Sequence, residues 1–96
     1  MNALDAVKEG DRTLLDNTLV FAHSDTEIAK FHIIDNFPMM TAGAAGGRVK
    51  TGIHVVGDGT PTSRVALTLQ QVMHVPVGKW GVGGLETNKP VTEILV

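Results

Sequence analysis

Residues 18–22, with the sequence TLVFA, decide the expected fold. They form a continuous β-prone run without the polar alternation of a strand that faces water on one side. A run that is apolar on both faces indicates a strand covered on both sides, as in a parallel sheet. Residues 2–9 before it are typical of a short helix, with Gly10 as the stop. Helix and strand together predict an α-to-β unit.

The segments that follow predict a second strand and a second helix. Residues 37–42 (FPMMTA) are the strand candidate, in which Pro38 fits only at the start or at an edge. Thr60 and Pro61 form a good helix opening. The helix is expected to run to Met73 or His74, since apolar residues recur on one face at helical spacing: Val65, Leu69, Val72 and Met73.

These elements predict the α/β fold class, with a small, mainly parallel sheet and two flanking helices. All 96 residues are expected in a single domain, residues 1–96. Residues 48–56 are expected to form an exposed hairpin arm, residues 77–89 a glycine-rich loop, and residues 91–96 a last strand.

Composition excludes several classes of protein. The absence of cysteine leaves no disulfide framework and no cysteine-ligated zinc site. A net charge of −2 without a basic block, together with 4% aromatic residues, predicts that nucleic acid is not a partner. The apolar runs are too short to span a membrane, and residues 1–5 do not resemble a signal peptide. The sequence as given therefore predicts a soluble chain.

Ligand-type side chains are concentrated after the first predicted strand, in residues 23–36. Open α/β sheets usually place their sites at the carboxyl ends of strands. Imidazole and carboxylate groups suit a divalent metal that activates water and neutralises charge on an ester. The alternative is a solvated loop whose polar groups face water. The candidate ligands are His23, Asp25, Glu27, His32 and Asp35.

The other polar features favour structural roles. Residues 43–47 (GAAGG) predict a tight turn with positive φ, although a glycine-rich loop can also hold an anion. His54 is expected on an exposed strand, and His74 is expected to compensate the dipole at a helix C-terminus. Neither Ser24 nor Ser63 lies in a nucleophile-elbow pattern.

Several stretches resemble the C-terminal region of a known family. They are residues 13–20 (TLLDNTLV), His32, residues 35–38 (DNFP) and residues 41–52 (TAGAAGGRVKTG). The family consists of uncharacterised, often exported bacterial proteins that are distantly similar to the alkaline phosphatase and sulfatase superfamily. The resemblance covers residues 2–84 and implies a fragment of an alkaline-phosphatase-like layered fold.

The resemblance also implies a metal site. In the wider superfamily, a carboxylate at the end of a strand and a loop histidine hold divalent metals beside a phosphate- or sulfate-like ester. Asp25 matches the carboxylate position and His32 the histidine, while Ile34 stands where members tend to have a second histidine. The superfamily's nucleophile and other ligands lie in an N-terminal portion that this chain lacks. The candidate metal ligands are thus Asp25, His32 and His23, for an ion such as zinc, manganese or calcium.

Two functions are therefore expected from the sequence. The first is a C-terminal piece of an alkaline-phosphatase/sulfatase-like protein without independent catalysis, which would be a metal-dependent ester hydrolase only within a longer chain. The alternative is a free-standing binding or assembly module whose Gly-rich loops hold a small anion or a partner. In either case, the exposed strand edge and apolar face expected of a small sheet fragment predict a homo-oligomer.

Overall fold

The computed structural model describes residues 1–26, 30 and 36–96. The chain divides into two compact units, unit 1 (Met1–Gly47) and unit 2 (Arg48–Val96), each described here by itself. The described residues form three α-helices and two two-stranded antiparallel sheets.

Unit 1 begins with a short helix and a small hairpin. Helix α1 covers Asn2–Asp5, and strands β1 (Lys8–Glu9) and β2 (Arg12–Thr13) pair antiparallel. Gly10 has a φ of 66°, in the left-handed region that a tight hairpin turn needs. The helix predicted over residues 2–9 is thus shorter than expected, because its last two residues pair with β2.

Helix α2 (Leu14–Asn17) begins with a reciprocal cap. The Thr13 N–H donates to Asp16 Oδ2 at 2.9 Å, and the Asp16 N–H donates to Thr13 Oγ1 at 3.2 Å. The Thr13 backbone bond, its hydroxyl and the positive charges of Arg12 and Lys8 together hold the pKa of the Asp16 carboxyl below its ordinary value. The charged form of Asp16 is therefore favoured in the folded chain.

We expect this cap to make unit 1 sensitive to acid. A carboxyl whose pKa is lowered by folding stabilises the fold above its unfolded pKa, and this contribution is lost as the pH falls through the folded pKa. In Asp16→Asn, the amide oxygen can still accept a hydrogen bond but carries no charge. Urea denaturation followed by circular dichroism should show wild type more stable than Asp16→Asn above about pH 5. The difference should shrink in stronger acid, and a constant difference would contradict the proposed cause.

The second sheet of unit 1 joins β3 (Val20–His23) to β4 (Met39–Ala42). The two strands are antiparallel, with Val20 opposite Ala42 and His23 opposite Met39. Three of the four residues of β3 are exposed, and so are the two central residues of β4. Pro38 directly precedes β4, and its carbonyl accepts the Ser24 N–H at 3.1 Å.

The prediction of a mainly parallel sheet with two flanking helices is wrong. Both sheets in the described part of the chain are antiparallel pairs, and the three helices do not flank a parallel sheet. The apolar run of residues 18–22 was interpreted as a strand covered on both faces. Instead, its strand is partnered by residues that follow a chain reversal, and its surface remains accessible. An apolar run alone does not specify the direction of its partner.

Unit 2 is built on helix α3 (Ser63–Val72), which confirms the helix predicted between residues 60 and 74. The helix begins after Thr60, whose hydroxyl donates to the Gly57 carbonyl in the preceding turn. Its fully buried side chains are Leu67 and Thr68. The buried face is therefore displaced from the predicted one, on which Met73 is exposed.

Polar side chains of α3 hold the segment at residues 89–91. Buried Thr68 accepts the Val91 N–H on Oγ1 at 2.7 Å. Arg64 donates from Nε to the Lys89 carbonyl and from Nη2 to the Pro90 carbonyl, both at 3.1 Å. Arg64 thus acts as a strap between α3 and the end of the chain.

The predicted hairpin arm and last strand are replaced by less regular structure. Within residues 48–56, Val49 makes an isolated antiparallel bridge with Leu95. The Lys50 N–H donates to the Ile94 carbonyl at 2.8 Å. Thr92–Ile94 form a 3₁₀ turn rather than an extended strand. Pairing is therefore limited to a short contact around Val49, which is buried.

His74 ends helix α3 through its backbone. Its φ is 64°, its N–H donates to the Gln71 carbonyl at 3.0 Å, and the Val75 N–H donates to the Gln70 carbonyl at 2.9 Å. These are the two bonds of a Schellman motif, in which the left-handed residue is usually glycine. His74 thus occupies a backbone conformation that a side chain makes unfavourable.

We expect His74→Gly to stabilise unit 2 by about 0.5–1 kcal/mol, because glycine adopts this φ without steric cost. Urea denaturation followed by Trp80 fluorescence would measure the change, since Trp80 is the single tryptophan and lies in unit 2. The control is His54→Gly, at an exposed residue outside the helices. An unchanged or lower stability of His74→Gly would contradict this account of the helix end.

Candidate functional site

The candidate site begins at the carboxyl end of β3. His23 is the last residue of this strand, and its exposed ring stacks on Phe21 with 5.3 Å between ring centroids. Its Nδ1 lies 3.2 Å from the Ser24 carbonyl oxygen. This geometry keeps His23 at the sheet surface beside the ligand-rich segment.

Asp25 follows in a turn that Ser24 and Thr26 stabilise. The Ser24 hydroxyl donates to the Thr26 carbonyl at 2.7 Å, and the Thr26 N–H donates back to Ser24 Oγ at 3.2 Å. Thr26 is buried, whereas Asp25 is exposed. The turn therefore presents the Asp25 carboxylate to solvent just after β3.

The predicted ligand set is described only in part. His23 and Asp25 lie two residues apart at the end of β3, whereas His32, Glu27 and Asp35 lie outside the described residues. The convergence of Asp25 with His32 therefore stays a prediction. Over residues 1–26, 30 and 36–96, no three His, Asp or Glu side chains are grouped so that they could hold a metal ion.

The glycine-rich residues 43–47 form a turn packed against the end of α2. The N–H groups of Ala45 and Gly46 donate to the Thr18 and Asp16 carbonyls at 3.1 and 2.8 Å. The Gly47 N–H donates within the turn to the Ala44 carbonyl at 2.9 Å. These three N–H groups are occupied by the chain itself, so they are not available to a bound anion.

Arg12 is a feature of this region that sequence reasoning missed. A Cβ placed on Gly47 would lie 3.5 Å from Arg12 Nη1, so the guanidinium lies directly beside the glycine-rich turn. Nothing in the local sequence pairs the two positions. The approach depends on the β1–β2 hairpin, which brings Arg12 to the turn only in the folded unit.

Both serine hydroxyls of the chain serve local structure. Ser24 holds the turn around Asp25, and Ser63 Oγ donates to the Leu85 carbonyl. A serine nucleophile instead needs a hydroxyl in contact with a general base. Neither serine has such a base as the acceptor of its hydrogen bond in these contacts.

Comparison of the chain with protein-family models, with curated proteins and with solved structures found no match. In the described ranges, none of the helices has the length and apolar character needed to cross a bilayer.

Proposed function

We propose that the chain is a C-terminal piece of an alkaline-phosphatase/sulfatase-like protein and does not catalyse ester hydrolysis alone. The observation that carries this proposal is the exposed pair His23 and Asp25, which opens the ligand-rich segment at the end of β3. The resemblance assigns the nucleophile and further ligands to a portion that this chain lacks. The engaged serine hydroxyls and the absence of cysteine support the same conclusion.

The β3–β4 sheet gives independent support for a larger parent protein. A single two-stranded hairpin is marginally stable in water, and independent stability usually needs a third strand or a covering helix. Here each strand has only four residues, and Met40 in the middle of β4 is 69% exposed. Further strands from the rest of a parent protein would complete such a sheet.

The test is an ester-hydrolysis assay of the full chain. Chromogenic phosphate and sulfate esters are incubated with the protein and Zn²⁺ or Mn²⁺. We expect turnover no faster than that of the metal alone. Turnover that disappears in both Asp25→Ala and His32→Ala would contradict the absence of independent catalysis. His54→Ala is the matched control, since His54 lies outside the candidate ligand set.

A single weak metal site formed by His23, Asp25 and His32 is compatible with this proposal. Its mixed imidazole and carboxylate donors suit zinc or manganese better than calcium, which prefers oxygen ligands. A bound metal would supply Lewis acidity and charge neutralisation. Calorimetry should show a heat of Zn²⁺ binding that is lost in Asp25→Ala and kept in His54→Ala. The absence of heat at millimolar Zn²⁺ would eliminate this site.

The alternative is a binding module that holds a small anion, and the position of Arg12 favours it. The guanidinium beside the glycine-rich turn would act as the anion ligand, because the backbone N–H groups of residues 45–47 are already occupied. Amide chemical shifts of Gly46 and Gly47 should then change on sulfate addition in wild type, but not in Arg12→Gln. Equal changes in both proteins would exclude this role.

A further inference from the structure

Unit 2 presents an apolar loop over residues 80–87, called here the Trp80–Thr87 loop. An antiparallel bridge closes it, in which the Trp80 N–H donates to the Thr87 carbonyl at 2.9 Å and the Thr87 N–H donates back at 2.8 Å. Its three large apolar side chains are exposed, with Val82 at 87%, Leu85 at 58% and Trp80 at 47%. Apolar groups gathered at one surface are typical of interfaces.

The loop is held in a defined conformation. Gly83–Leu85 form a 3₁₀ turn, and the Ser63 hydroxyl of α3 donates to the Leu85 carbonyl. A Cβ on Gly81 would overlap the Leu85 carbonyl oxygen, so the two sides of the loop are in close backbone contact. The exposed side chains are therefore presented by an ordered loop, which lowers the entropy lost when a partner binds.

Charge distinguishes the two units. Unit 1 contains seven Asp and Glu against three Lys and Arg, whereas unit 2 contains three Asp and Glu against five Lys and Arg. Near the loop, Lys79 forms an exposed ion pair with Glu86 at 3.4 Å, and Lys89 is also exposed. The loop thus belongs to the basic unit of an acidic chain, and its electrostatic complement is an acidic surface.

Unit 1 offers such a surface together with an apolar contact. Val7 is exposed in the segment that joins α1 to β1, and Asp5 and Asp11 are exposed close to it in the sequence. We propose that the Trp80–Thr87 loop of one chain docks on this face of unit 1 of a second copy. Because each copy carries both surfaces, two reciprocal contacts close a two-fold dimer. The inference is independent of the proposed function, since it uses neither the β3–β4 sheet nor the candidate metal ligands.

The apolar half of the contact is tested by sedimentation equilibrium of the full chain from micromolar to millimolar concentration. We expect reversible association from the 10.2 kDa monomer to twice that mass. Val82→Asp should weaken the dimer at least about tenfold, because it places a charge in the apolar contact. Val82→Ser is a milder second variant. Val56→Asp is the matched control, since Val56 is a 77% exposed residue of unit 2 outside the loop.

The charged half is tested with Lys89→Glu and Asp11→Lys, each of which should weaken the dimer by adding like charge to its face. Raising NaCl to about 0.5 M should also weaken wild type, because salt screens exposed charges. A monomer at every concentration would overturn the proposal. So would a dimer that Val56→Asp weakens as much as Val82→Asp does, or one that does not respond to salt and charge reversal.

Discussion

Gly43→Ala is expected to destabilise unit 1 by about 3 kcal/mol or more, enough to unfold most of a small unit. Gly43 has a φ of 92°, which is strained for any other residue. A Cβ there would also overlap the Thr18 carbonyl oxygen and lie 2.7 Å from the Leu15 carbonyl oxygen. Both obstacles are backbone atoms at the end of α2, so neither can move aside without loss of the helix cap.

The measurement is amide hydrogen exchange by NMR, because the tryptophan reports on unit 2. Protection of the Ala45 and Gly46 N–H groups, which donate to carbonyls at the end of α2, should fall with the stability of unit 1. Gly10→Ala is the matched control: its φ is also positive, but a Cβ there meets nothing within 4 Å. Its cost should be about 1 kcal/mol. Equal losses in the two variants would show that the close approach at Gly43 is unimportant.

Leu67→Ala should destabilise unit 2 by about 2–5 kcal/mol, since it removes a fully buried side chain from a small core. Val49 and Val72 are the other buried aliphatic residues described in this unit, so little apolar surface is available to compensate. Urea denaturation followed by Trp80 fluorescence measures the loss. Val56→Ala, at a largely exposed position, should change stability by less than about 0.5 kcal/mol. A loss below about 1 kcal/mol for Leu67→Ala would contradict the assigned core.

Helix α3 could be predicted from the sequence because its signals are local. Apolar residues recur at helical spacing, and Pro76 follows shortly after its end. The buried face was displaced because the neighbours of Leu67 and Thr68 are contributed by residues distant in sequence. The Thr68 hydroxyl, for example, meets the Val91 N–H across more than twenty residues. Such contacts leave no periodic trace in the sequence.

The sheet could not be predicted in the same way. The run of residues 18–22 correctly indicates β structure, and Pro38 correctly marks the start of β4. Whether two strands run parallel or antiparallel depends on the path of the chain between them, which local composition does not fix. The apolar character of the run reflects a surface still accessible in this chain rather than cover on both faces.

The candidate site was predicted in position but not in geometry. The sequence located ligand-type residues after the first strand, and His23 and Asp25 do lie at the end of β3. It could not show that the glycine-rich turn uses its own N–H groups, because their acceptors belong to α2 and the residue after it. Nor could it place Arg12 beside Gly47. Both features arise only when separate elements pack together.

The strap formed by Arg64 has a consequence for behaviour in acid. Its guanidinium binds the neutral carbonyl oxygens of Lys89 and Pro90, which do not titrate, whereas the helix cap of the other unit relies on an ionised carboxylate. Lowering the pH removes the charge of that carboxylate but leaves the grip of Arg64 intact. Gradual acidification should therefore loosen the amino-terminal half first, while the carboxyl-terminal half keeps its helix docked.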